Sequence, residues 1–501
     1  MTAPTPPIEL ADDVGGSTSR LGGEPAQLPD SLLDHLRTLV SDGACSIAFD
    51  PVTTAEAGRD WWPLALHWAL AGQVPRRAAA VVRPSTTAAV SSVLAACNSL
   101  GVPVTAAGGR SGVCGASIPV FGGVVLDMTA FDSVDDIDAA SGIVAVGAGA
   151  FGPDLERHVR ETAGLTIGHF PQSFELATVG GWVACRGAGQ YSTRYGKIED
   201  IVVGLEVVLA DGRVIRTGGT PAAAVGPDLT QVFVGSEGTL GIVTKVWLRA
   251  HPVPPAEQRA AYWFRSLADG FEACRQILRS GATPAVLRLY DGVESARSHG
   301  GDGVECALLV LDEADERILT ATMDLVDDVC RSIGRAGDPA LVDRWVHHRN
   351  DTSALQALTR RGFVVDTMEI AAPWSRLDAV HAAATEALMA VPHARSASCH
   401  LSHSYPDGAC LYFSFAATPP ATEVDTTYVA MWDAGQRAVL EAGGNLSHHH
   451  GVGLNRGRFM AEALGAAHSV VVDLKHALDP NGILNPGKLG IPSPFGAPSW
   501  P

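Results

Sequence analysis

Three consecutive histidines, His448, His449 and His450, stand in LSHHHGVG, between the pair Gly443-Gly444 and Gly451. Imidazole changes charge near neutral pH, so such a run could move protons on a substrate. On an extended strand, His448 and His450 would project to one face and His449 to the other. That spacing also suits two zinc ligands, with Cys399, His400 and His403 of SCHLSH as further donors. No H-E-x-x-H and no dense Cys/His spacing accompanies them. The same glycines would suit a plain solvated turn. The run therefore admits three readings: metal ligation, substrate chemistry, or a turn.

Three other segments are rich in small and hydroxyl residues. The first is TAAGGRSGVCGAS, residues 105–117. Small residues let backbone approach a phosphate, and successive amides form an anion-binding nest. The pattern is neither GxGxxG nor GxxxxGK[ST], so neither a Rossmann dinucleotide site nor a P-loop is indicated. Residues 168–212 and 228–248 mix small residues with strand-forming runs. By themselves they say only that backbone passes close to something flat and polar.

The elements that must position these residues follow from periodicity. SLLDHLRTLV has helical spacing, and DWWPLALHWALAG reads as a short aromatic-rich helix. AAAVVRP is a buried strand. STTAAVSSVLAACNSLG is a helix capped by Ser85 and ended by Gly101, and VPVTAAGG is the next strand. Residues 108–252 are β-rich, with Asp211-Gly212 at a hairpin tip. Over residues 255–437, strands such as AVLRLYDG, CALLVLDEA and LYFSFAAT alternate with amphipathic helices such as LADGFEACRQILRSG and RLDAVHAAATEALMAV. That predicts an antiparallel sheet covered by helices, a second domain.

The chain has 501 residues, enough for two or three domains with real cores. At 46% hydrophobic and 18% charged it is a folded protein. A net charge of −18 argues against nucleic acid or an anionic membrane as main partner. Nine dispersed cysteines without a CxxC pair read as reduced thiols of a cytoplasmic protein. No uninterrupted apolar run reaches about 18 residues, so no membrane span is expected. Residues 1–29 lack a basic region followed by an apolar run and read as a flexible lead rather than a secretion signal. Residues 30–75 read as a helical lead-in and 491–501 as a Pro-rich tail.

In their order and spacing, the three small-residue segments resemble the FAD-binding domain of the PCMH type, the vanillyl-alcohol-oxidase superfamily, over roughly residues 76–252. The resemblance implies an α+β fold, with a two-subdomain FAD-binding domain and an antiparallel-sheet cap domain at 255–437 covered by helices. It implies a pyrophosphate loop of Ala107, Gly108, Gly109, Arg110, Ser111, Gly112 and Val113. Isoalloxazine and ribityl contacts would come from Pro171, Gln172, Ser173, Thr178, Gly180, Gly181, Cys185, Arg186, Gly187 and Ala188. Adenine-side contacts would come from Glu237, Gly238, Gly241, Ile242 and Val243. ALDPNGILNPGKLG matches the family's usual ending, so residues 438–490 should return to the flavin domain. Many relatives attach FAD through a histidine of the first loop. Arg110 stands there in this chain, which implies non-covalent FAD, with Cys114 as a buried packing residue.

Within that superfamily, GGNLSHHHGVG is very similar to a motif of the alkyl-dihydroxyacetone-phosphate synthases. Arg288 in TPAVLRLYDG matches their arginine strand, and Tyr412 in DGACLYFSF matches their catalytic tyrosine. The resemblance implies an ether-lipid enzyme that exchanges the acyl chain of acyl-dihydroxyacetone phosphate for a fatty alcohol. Tyr412, His448, His449 and His450 would be catalytic and Arg288 would bind substrate, with no metal. The substrate would be a small or lipid-like molecule, with peripheral membrane contact and a homodimer both open. A cationic, desolvated site is expected to lower the Tyr412 phenol so that it takes a proton. Judged by spacing alone, Tyr412 is a half-buried strand tyrosine and Arg288 a solvent-facing residue in an ordinary salt bridge.

Two departures matter. The synthases carry an Arg-Asp pair in a helix where this chain has Leu355 and Gln356, with Arg360 and Arg361 near but out of register. The C-terminal SWP is no peroxisomal address of the S-K-L kind. One scaffold hosts many chemistries. The alternative is therefore an FAD-linked oxidase or dehydrogenase of a hydroxylated small molecule such as a 2-hydroxy acid.

Overall fold

A four-stranded sheet opens the architecture, in the order Cys45–Ala48, Ala80–Pro84, Val124–Asp127, Val104–Ala107. The last three strands run parallel. Helices Asp30–Ser41 and Thr87–Leu100 bury Leu32, Leu36, Val90 and Leu94 in one core with this sheet. A second, antiparallel sheet follows, ordered Val214–Gly218, Val202–Val208, Ile242–Arg249, Ile143–Gly147, Val134–Asp138. These two sheets are the two subdomains of the first unit. Chain connectivity closes it: Leu484 bridges Val104, and the Asn485 amide donates to the Val104 carbonyl at 2.7 Å. This coordinate set is a computed structural model and describes residues 8–10, 18–22 and 28–500.

The cap is a seven-stranded, wholly antiparallel sheet. Its order is Arg335–Ala336, Ala256–Phe264, Cys306–Ala314, Val286–Tyr290, Ala394–Ser404, Gly408–Ala417, Val364–Pro373. Side chains alternate along a strand. Leu287, Leu289, Cys399, Leu401, Leu411, Phe413, Met368 and Ile370 therefore face a helical layer that includes Leu267–Arg279, Glu316–Ile333, Leu377–Ala390 and Val424–Glu441. Arg288, Tyr290, His400, Tyr412, Thr367 and Glu369 are the alternate residues and turn to the opposite face. On that face Tyr290, Trp345 and Leu309 share a core with Tyr191 and Tyr195 of the first unit. The polar side of the sheet is thus the side pressed against the FAD-type domain.

A bulge refines this arrangement. Leu401 pairs with Leu411, but His403 pairs with Cys410, so Ser402 is the extra residue. The bulge brings His403 to the same face as His400 despite their odd spacing.

Several expectations need correction. The N-cap of helix Thr87–Leu100 is Thr86, whose hydroxyl accepts from the Ala89 amide, whereas Ser85 donates to the Ala44 carbonyl. The N-terminal lead is packed where it is described: Ile8 and Leu10 are buried with Leu66 and Val74. The remainder of residues 1–29 is described only at 18–22 and 28–29. Residues 30–75 are more than a lead-in, since Cys45–Ala48 completes the first sheet. The cap boundary at 437 falls inside helix Val424–Glu441. The C-terminal tail docks, with the Trp500 ring 5.2 Å from Trp62 and 5.7 Å from Trp68. Among the described residues no helix is long and apolar enough to cross a membrane.

Candidate active site

The first small-residue loop is locked onto the second. A Cβ at Gly108 would strike the Thr178 hydroxyl, and one at Gly109 the Leu176 carbonyl. Each of the three segments also holds one non-glycine residue in the left-handed region: Arg110 at φ 53°, Arg186 at 58°, Glu237 at 49°. Such backbone costs about 1–2 kcal/mol per residue and persists where the surroundings dictate it. Buried polar atoms around the first loop have no hydrogen-bond partner among the described residues: Arg110 Nε, Ser117 Oγ, Asp60 Oδ2 and the Asn455 side-chain amide. Unpaired buried donors and acceptors fit a large polar ligand, as a flavin dinucleotide is. Gly109→Ala should therefore leave little FAD bound, read as the flavin-to-protein absorbance ratio after purification.

The other expected cofactor residues divide. Thr178 caps helix Val179–Cys185 through the Gly181 amide, at 3.3 Å. Pro171, Gln172 and Ser173 lie in a turn with Gln172 exposed. Cys114 is buried, and burial pushes its thiol well up. The Glu237 side chain is held by the C-terminal segment. Its carboxylate accepts from the Val452 amide at 2.6 Å and from the Gly453 amide at 2.8 Å.

The histidine run is not a strand. Residues 448–450 form a bend, and their three amides converge on Oε1 of Glu369, at 3.2, 3.0 and 2.8 Å. Arg456, wholly buried, grips both oxygens of the same carboxylate. Lys197 of the first unit donates to the His448 carbonyl at 2.7 Å. The segment is therefore tied to both domains.

The rings gather around Tyr412. Its ring is 5.5 Å from His450, 6.0 Å from His449 and 4.9 Å from His400, centroid to centroid. Its hydroxyl donates to Thr367 Oγ1 at 3.1 Å. Tyr405 OH and His448 Nε2 are 2.7 Å apart, and Nδ1 of His448 and of His449 are 2.8 Å apart. Burial first, then neighbouring imidazoles and Lys197, hold His448, His449 and His403 well below the usual histidine range, so these rings are neutral. Tyr412 corrects an expectation: burial raises its phenol and outweighs the opposing Thr367 hydrogen bond and Arg288 charge. The hydroxyl stays protonated.

His403, Cys410, His448 and His449 each bring one potential ligand atom within 4.8 Å of the others. This differs from the set suggested by spacing, since Cys399 faces the helices and His450 lies against Glu369. The Nδ1 atoms of His448 and His449 already face each other, and burial pushes the Cys410 thiol up.

Arg288 lies 5.7 Å from the Trp345 ring and donates to Tyr290 OH at 2.8 Å and to His400 Nε2 at 2.5 Å. Its partners are neutral, not the carboxylate of an ordinary salt bridge. Arg349, which spacing did not single out, lies 5.7 Å from the same Trp345 ring and 5.1 Å from Tyr191. It donates to Gln190 Oε1 at 3.1 Å. Among the described residues neither arginine has a carboxylate partner. Leu355 and Gln356 are half-buried on helix Ser353–Arg360. Glu369, Lys197, Tyr405, Arg456 and Arg349 were all missed from sequence. The one available signal was the pair of acids Asp366 and Glu369 in the otherwise mostly apolar strand VVDTMEIAAP.

Comparison with known proteins agrees with this layout. Residues 78–218 match the FAD binding domain family, and residues 253–489 match the C-terminal domain of FAD linked oxidases. The uncharacterized FAD-linked oxidoreductase YgcU of Escherichia coli is 33% identical over 436 residues, 82% of this chain and 88% of that protein. The alkyldihydroxyacetonephosphate synthase of Dictyostelium discoideum is 28% identical over 457 residues, 83% of this chain and 74% of that protein. A solved alkyldihydroxyacetonephosphate synthase superposes with a TM-score of 0.78 at 23% identity, covering 97% of this chain and 89% of the other. The chain belongs to the FAD-linked oxidase family, and is an FAD-binding enzyme of the two-domain PCMH-type fold.

Proposed function

We propose that this enzyme oxidises a hydroxylated, anionic small molecule of the 2-hydroxy-acid class. One observation carries the reading: neutral imidazoles and a protonated phenol stand beside Arg288, and Arg349 joins it across the Trp345 ring, neither arginine having a carboxylate partner among the described residues. Arg288 and Arg349 hold the anionic group, and Trp345 keeps both guanidinium planes in place. His450, with Nδ1 3.1 Å from Glu369 Oε2, takes the hydroxyl proton as general base. Tyr412 stays protonated and orients the substrate oxygen by a hydrogen bond. FAD, held non-covalently by the three loops, supplies the two-electron acceptor for the hydrogen on the carbinol carbon. Nine unpaired cysteines fit a reducing, cytoplasmic setting.

A second reading, acyl-for-alkyl exchange as in the synthases, is favoured by a groove of about 700 Å³. Ala371, Ala409, Leu446, Val452, Met460 and Leu464 line it, and it reaches Ser447 and Tyr405 beside His448. An alkyl chain would fit there. The raised Tyr412 phenol and the loss of the Arg-Asp pair favour the first reading.

The deciding experiment keeps the FAD-loaded protein free of oxygen and follows its visible spectrum. Bleaching by a 2-hydroxy acid supports oxidation. Release of fatty acid from an acyl-dihydroxyacetone phosphate without lasting bleaching would transfer the assignment to exchange. Inertness toward both classes overturns both.

A further inference from the structure

Glu369 lies on strand Val364–Pro373, fully buried, facing the first unit. Besides the amides of His448, His449 and His450, its Oε1 accepts from Ser447 Oγ at 2.6 Å and from Arg456 Nη1 at 3.1 Å. Its Oε2 accepts from Arg456 Nη2 and lies 3.1 Å from His450 Nδ1. Three successive N–H groups on one oxygen curl the chain around it, as in an anion nest. Here the anion is the protein's own. Gly451, at φ 80°, then takes the chain away from the turn.

We propose that Glu369 is the positioning residue of this centre: it shapes the loop that carries the three histidines and is the anionic partner of His450. The inference rests on His450 as the proton acceptor. The Glu369 oxygen stands at ion-pair distance from Nδ1 but outside hydrogen-bond geometry, so it acts on the ring by its charge, favouring the tautomer with the proton on Nδ1 and leaving the Nε2 lone pair for the substrate. Burial would raise the Glu369 carboxyl, but Arg456 and then His450 outweigh it and hold it well below the usual carboxylate range. Glu369 is thus ionised at every pH at which the enzyme would work. The charged and titratable groups around His450 are Glu369 and Tyr412 on its side of the sheet, Asp366 behind them on the helical face, where it is bonded to Tyr428 and Trp432, Arg456 beyond the loop, and His448 and His449 beside it. Of these, Glu369 alone combines full ionisation with contact at a ring nitrogen.

Neither neighbour in size replaces it. Glutamine would point an NH2 at Arg456, donor against donor, and aspartate is one methylene too short to reach the amides. The test is ring 15N spectroscopy of FAD-loaded protein carrying 15N-labelled histidine, with the His450 signals assigned by their loss in His450→Gln. Glu369→Gln should move the ring proton of neutral His450 away from Nδ1 and cut turnover by about 10–100-fold. Unmoved His450 ring signals with turnover within about twofold of wild type overturn the proposal. Should Glu369→Gln fail to fold, hydrogen exchange of the wild-type protein decides. Slow exchange at the amides of residues 448–450 supports the nest, and exchange at free-peptide rates overturns it. These two readouts use no substrate, so an error in the assigned reaction would leave them standing and appear only in the turnover measurement.

Discussion

Replacing His450 with glutamine lowers turnover by about 10²–10⁴-fold while FAD stays bound, the range expected for loss of a general base. Two features single out this ring among the three. Its Nδ1 faces the ionised Glu369 at 3.1 Å, and its side chain is 15% exposed, the more open member of that pair. His448 instead spends Nε2 on Tyr405 and Nδ1 on His449, so no ring nitrogen remains for a substrate. Tyr412→Phe provides the contrast. If the phenol only donates a hydrogen bond, its loss costs about 1 kcal/mol, several-fold in rate. If it is the base, as the synthase resemblance implies, its loss costs about a hundredfold or more. Single-turnover flavin reduction of both variants, with FAD content checked by absorbance, separates the assignments. A His450→Gln enzyme of wild-type rate would remove His450 from the mechanism.

Much of this arrangement is legible in the chain because it rests on local rules. Strict alternation in AVLRLYDG and LYFSFAAT places Arg288 and Tyr412 on the face opposite to Leu287 and Leu411, as found. The glycines of the first loop are needed because other backbone passes where a Cβ would stand. What stayed hidden depends on groups far apart in sequence. Residues 448–450 are bent around a carboxylate 79 to 81 residues earlier, which gathers their amides where a strand would have spent them on a ladder. His400 and His403 share a face only through a bulge, which no side-chain periodicity announces. Arg349 replaces no motif residue; its placement follows from aromatic rings of both domains. The raised phenol of Tyr412 reflects burial beneath two domains, where the role implied by the resemblance called for the opposite sign.

Arg456→Leu should destabilise the protein by about 3–5 kcal/mol, the usual cost of removing one partner of a buried ion pair. Arg456 and Glu369 are both without solvent exposure, so water cannot screen the charge left behind. The guanidinium also donates to the Leu446 carbonyl at 3.1 Å and lies 4.9 Å from the Trp432 ring, so its loss frees a loop carbonyl and opens a gap in the cap core. A paired substitution sharpens the point. Buried ion pairs can often be exchanged for apolar residues at little cost, because both charges leave together. Here that rescue should fail. In Glu369→Leu with Arg456→Leu, the amides of His448, His449 and His450 and the Ser447 hydroxyl lose their acceptor, and each unsatisfied buried donor costs about 1–3 kcal/mol. The double variant should therefore be at least as unstable as Arg456→Leu alone, by chemical denaturation of the FAD-loaded proteins. Recovery of wild-type stability in the double variant would mean that the pair is an isolated salt bridge and that the histidine loop is held by Lys197 and Glu237 without it.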